Sequence, residues 1–190
     1  MKPAFPSSLL AALLAILPFA HAQQPAGVPQ TLSELANQPG THISVTFDRS
    51  MLDFARTFID NGNAQAKHAA ASLHSITVDT YHYQRPAFYT PEAMNALAAT
   101  YHAAGWKHLV NANLTPATSA QPVAPITDMW LHFSGAEIDD VTVLVRAPRD
   151  MNLIQISCMI RPLDLLHLSG HFGIPKVDPN AVMVPAPEGR

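Results

Sequence analysis

VTVLVRAPRDMNLIQISCMI, residues 141–160, decides the fold. Val141, Val143 and Val145 recur at every second position, and so do Ile154, Ile156, Cys158 and Ile160. A period of two residues is that of a β-strand with one face turned to a core. Pro148, Arg149 and Asp150 stand between the two runs, and proline followed by polar residues is turn chemistry. The segment predicts two strands, 141–146 and 153–160. A third apolar run, 128–133, lies just upstream, so the spacing is that of an antiparallel meander.

Further towards the N-terminus, Ile43, Val45 and Phe47 alternate with Ser44 and Thr46, which predicts a half-buried strand. A helix follows from Ser50, with Asp53 completing an approximate capping box. Met51, Phe54, Ala55 and Phe58 would form its core-facing stripe, and Asn61-Gly62-Asn63 its stop. Alanine-rich residues 64–72 predict a shorter helix, and 73–83, with Ile76 and Val78 on one side, another strand. Thr90-Pro91 is a cap residue followed by proline at the first helical position. Met94, Leu97, Ala98 and Tyr101 form the apolar stripe of that helix, Gly105 stops it, and 106–110 is a short strand. Residues 111–127, with Pro116, Pro122 and Pro125, read as a loop. Pro162 opens a last helix, with Leu163 and Leu166 facing the core and Gly170 ending it.

The order β-α-α-β-α-β-β-β-β-α predicts an α+β fold, a largely antiparallel sheet of about five to six strands with helices packed on one face. Thr142, Gln155 and Ser157 make the second face mixed, so that face is expected to be exposed.

Outside this core the chain changes character. Residues 1–22 read as a secretory signal peptide: Lys2 is the one charge, 9–19 is an apolar run, and Ala20-His21-Ala22 offers small residues for cleavage after Ala22. Residues 23–40 read as a flexible leader, 41–176 as a single α+β domain and 177–190 as a Pro-rich tail. The expected location is periplasmic or secreted, with no membrane span after signal cleavage.

Composition narrows the function. Apolar residues make up 48% of the chain and charged residues 13%, a globular balance. The net charge of −3 and the absence of basic runs argue against nucleic acid and anionic membranes as partners. Cys158 is the only cysteine, so there is no intrachain disulfide to hold the fold.

Histidine is the unusual component. His42, His68, His74, His82, His102, His108, His132, His167 and His171 follow the signal segment. Imidazole is the commonest transition-metal ligand, and His167 with His171, three and seven residues after Asp164, is the best sequence-local set. Gly170 falls between the two histidines and breaks the helix that would align them, so no metal ligand and no cofactor are assigned. No G-x-S-x-G, H-E-x-x-H or glycine-rich phosphate loop is present, and no catalytic residue is assigned either. Cys158 reads as a small core residue, and Trp106 and Trp130 as packing. Asp139-Asp140 read as solvated turn residues, and Asn113-Leu114-Thr115 as a glycosylation acceptor with little meaning in a bacterial periplasm.

Residues 141–145, 152–157 and the LLHLSGHFGIP of 165–175, with 75–81 and Gly105-Trp106, resemble the bacterial domain of unknown function 4252 family. The resemblance covers most of 41–176. It implies an exported α+β domain, often a lipoprotein, although no lipidation cysteine follows the apolar run here. It carries over no catalytic residue, and it hints at envelope signalling. Three function classes follow. The leading one is a non-enzymatic envelope protein that binds a protein partner in signalling or stress response. The others are a small-ligand or metal-binding periplasmic protein, and a hydrolase assembled in three dimensions.

Overall fold

A computed structural model describes residues 25, 28–36, 39–57, 64–110, 120–168 and 182–184. Seven strands form one sheet: β1 (Gly40–Phe47), β2 (Leu73–Tyr83), β3 (Lys107–Val110), β4 (Ile126–Ser134), β5 (Glu137–Arg146), β6 (Asp150–Ile160) and β7 (Val182–Val184). Their order is β1-β2-β6-β5-β4-β3-β7, and every pairing is antiparallel. The meander read from residues 141–160 is thus the centre of the sheet, and the α+β class holds. Among the described residues five helices accompany it: α1 (Val28–Leu35), α2 (Arg49–Arg56), α3 (Ala64–Ala71), α4 (Pro91–Ala103) and α5 (Pro162–Leu168).

The helices lie on both faces, not on one as the sequence led us to expect. Met129, Leu131, Val141, Val143, Ile154 and Ile156 point to the face covered by α2, α3 and α5, where Leu52, Ala69, Leu165 and Leu168 meet them. The residues between them, Trp130, Leu144 and Leu153, point the other way into a second core with Val28, Leu32, Leu35, Leu97 and Tyr101 of α1 and α4. Thr142, Gln155 and Ser157 are buried on this α4 face rather than exposed.

The second core needs α1, which lies inside the stretch 23–40 read as a flexible leader. Val28, Leu32, Leu35 and Ala36 fall at i, i+4, i+7 and i+8, which is one helix face, and all four are buried. The domain therefore begins before residue 41. Likewise β7 lies within 177–190, read as a tail, and pairs with β3.

Two helix phases differ from expectation. α2 is capped by Asp48, whose carboxylate accepts from Met51 N at 3.0 Å and from Ser50 Oγ at 2.7 Å, so Ser50 lies inside the helix. The phase set by that cap turns Leu52 inward and leaves Met51 and Phe54 exposed. In α5, Leu165 and Leu168 are buried and Leu163 and Leu166 are exposed. Here Asp164 folds back to bond Arg161 Nε at 3.0 Å at the start of the helix. The α4 stripe holds, and Gly105 stops the helix as read, with φ of 85°. Residues 1–22, read as a signal peptide, and Phe58, Asn61-Gly62-Asn63, Gly170, His171 and residues 111–119 lie outside the described residues.

Candidate functional site

Among the described residues four histidines pair with aspartates, each across two neighbouring strands. His42 Nε2 lies 2.8 Å from Asp79 Oδ1, His82 Nδ1 2.7 Å from Asp150 Oδ1, and His108 Nε2 3.3 Å from Asp128 Oδ1. His132 Nδ1 lies 2.7 Å from Asp139 Oδ1 across the β4–β5 hairpin. A hydrolase triad needs a serine or threonine hydroxyl on the second ring nitrogen. Among the described residues none of these four pairs has one.

The His108 pair belongs to a buried network. Asp128 Oδ2 accepts from Arg146 Nη2 at 2.8 Å and Nε at 3.3 Å. The Arg146 guanidinium carbon stands 5.6 Å from the Tyr89 ring centre. Burial acts to raise the Asp128 carboxyl, but His108 and Arg146 outweigh it and hold the group below the usual carboxylate range. Trp130 is stacked between Tyr101 (4.7 Å) and His108 (4.6 Å). The arrangement is a structural core of paired charges and aromatic rings.

The His132 pair is different, because a third ligand-type group joins it. Asp139-Asp140, read as a turn, are part of β5 and half-buried. Successive strand residues ordinarily point to opposite faces. Here the β4–β5 register shifts: His132 opposes Asp140 and Phe133 opposes Ile138, so Asp139 is the extra residue of a β-bulge. The β5–β6 register shifts at the same place, with Ile138 opposite Ile160 and Asp140 opposite Ser157. The bulge breaks the alternation and collects both carboxylates beside one imidazole. One ligand atom from each of His132, Asp139 and Asp140 lies within 4.8 Å of the others. Trp106 backs the imidazole, with ring centres 5.3 Å apart.

The electrostatics of this corner are costly. Burial and then the adjacent Asp139 push the Asp140 carboxyl up to about 6, against the opposing pull of His132 and the Ser157 hydroxyl. Asp140 Oδ1 is buried without a hydrogen-bond partner among the described residues. An acid whose folded value is raised holds its proton longer in the folded state. Its contribution to stability is therefore greatest below about pH 3.8 and falls as pH rises through about 6. Asp140→Asn removes that loss. We expect urea unfolding to show the variant gaining on the wild type as pH goes from 4 to 7; a difference that does not change with pH would refute this.

The sequence-local metal set does not assemble. His167 is exposed on α5, Asp164 is bound to Arg161, and His171 lies outside the described residues. Cys158 is buried, donates to Ile138 O at 3.4 Å, and has its thiol pushed up by burial, which suits a core residue. Trp106 and Trp130 are buried.

β1 forms the other feature of note. It closes one end of the sheet and, among the described residues, pairs only with β2. Ile43, Val45 and Phe47 are 60%, 45% and 37% exposed, so the strand expected to be half-buried presents its apolar row to the outside. No helix of the described residues is long and apolar enough to cross a membrane.

The chain matches no protein-family model, no curated protein and no solved structure. Its function must be read from these residues.

Proposed function

We propose that this chain is an exported, non-enzymatic envelope protein that docks an extended segment of another envelope protein along the free edge of β1, in signalling or stress response. The observation that carries the reading is the exposed apolar row of that edge strand. A sheet edge offers unpaired backbone donors and acceptors, and proteins that do not use an edge blunt it with lysine, proline or a bulge. Gly40–Phe47 contains no lysine and no proline, and its pairing with β2 runs without a register shift. An added strand would gain main-chain hydrogen bonds from the edge and side-chain contacts from Ile43, Val45 and Phe47. Met51 and Phe54 stand exposed on α2, which packs at this end of the sheet and extends the apolar character. That chemistry calls for an extended partner segment with alternating apolar residues. The signal-like residues 1–22 support the envelope setting.

A photo-crosslinking residue in place of Ile43, used in cells, tests the proposal. We expect crosslinks to map to an extended apolar segment of a different protein and to be lost in Val45→Lys, whose exposed position leaves folding intact. Crosslinks only to a second copy of the chain, or crosslinks undiminished by Val45→Lys, would overturn it.

A further inference from the structure

We propose that His132, Asp139 and Asp140 bind one divalent transition-metal cation, with Zn²⁺ the best match among common ions. The site is separate from the β1 edge, and the two can stand or fall independently.

The geometry is the first support. The three ligand atoms lie within 4.8 Å of one another. A tetrahedral zinc with ligands about 2.1 Å away holds them about 3.4 Å apart. Side-chain rotation closes that difference, and His132 Nδ1 and Asp139 Oδ1 are already 2.7 Å apart. The second support is the unpartnered Oδ1 of Asp140, a buried acceptor beside the pair. Buried polar atoms are nearly always bonded, and one left open next to two ligand-type groups points to an ion. The third is the bulge. Without the extra residue Asp139 would alternate away from His132, and two register shifts converge on this one position.

The donor set then selects the ion. One imidazole and two carboxylates form a mixed nitrogen and oxygen set that suits zinc or manganese better than calcium, which takes six or more oxygens. Zinc binds such a set more tightly than manganese. Two carboxylate charges balance the dication. Three protein ligands leave a fourth tetrahedral position for water or for a donor atom of a bound molecule.

Calorimetric titration of the chelator-treated full chain with ZnCl₂ tests this. We expect one equivalent bound with a Kd below about 10 μM. His132→Ala should abolish binding, and Asp139→Asn and Asp140→Asn should each weaken it by about tenfold or more. His167→Ala should leave it unchanged. Circular dichroism and urea unfolding of each variant check that a loss of affinity does not come from unfolding. Co²⁺ in place of Zn²⁺ should give visible d–d absorption that vanishes in His132→Ala. A wild-type Kd weaker than about 1 mM, or undiminished affinity in both natively folded aspartate variants, would overturn the proposal.

Discussion

Arg146→Met should destabilise the protein by about 3–5 kcal/mol, because it leaves a carboxylate buried without its main counter-charge. Arg146 and Asp128 are both buried, and their shortest contact is 2.8 Å. The His108 imidazole, 3.3 Å from Asp128, stays beside the carboxylate but does not replace the guanidinium charge. The pairing also sets a pH dependence. Asp128 is held below its ordinary value of 3.8 when folded. Its stabilisation is therefore present above about pH 3.8 and is lost as pH falls through its lower folded value. Arg146→Met removes part of the pull that outweighs burial, so acid should stabilise the variant relative to the wild type. Urea unfolding at pH 7 and pH 4 measures both effects. A loss under about 1 kcal/mol at pH 7 would place the pair among the weakly contributing kind.

Trp130→Ala should be of similar size, about 3–5 kcal/mol, for a different reason. The indole is fully buried at the centre of the α4 face, with Tyr101 stacked on one side and His108 on the other. Truncation opens a cavity that α4 cannot fill, since Leu97 and Tyr101 fix it to the sheet. Trp130→Phe keeps a ring in the stack and should cost less. The order of the two variants in urea unfolding, with near-ultraviolet circular dichroism reporting the stack, is the check. An alanine variant as stable as the phenylalanine one would show that the stack contributes little.

The strands of this fold are legible because a period of two survives any context: 141–146 and 153–160 are where the sequence places them. The second core was not, because 23–40 is rich in proline and glutamine and its one helical stripe, Val28, Leu32, Leu35 and Ala36, is short. That stripe was nevertheless a usable signal. Without α1, the α4 face looked uncovered and Thr142, Gln155 and Ser157 looked exposed. The phases of α2 and α5 turned on which residue begins each helix, and in a helix of eight residues or fewer a slip of one or two positions exchanges the buried side for the open one. The metal-type cluster was hidden for a comparable reason. Two adjacent aspartates between apolar runs read as a turn, and only the pairing register shows that they share one side of a strand. His132 and Asp139 are seven residues apart, a separation that suggests nothing until the hairpin closes.

The strand order also fixes when the fold can be completed. β4, β5 and β6 meet through short hairpins, and such local contacts form fast. β2 has no local partner on its inner side: it joins β6, and His82 and Asp150, bonded across that seam, are 68 residues apart. Closing so long a loop carries an entropic cost that is recovered only once the seam is in register. Among the described residues β1 in turn pairs only with β2. As the chain grows from its N-terminus, the first strand made is thus among the last to find its sheet. Until then its neutral, alternating apolar face is open to any strand that passes.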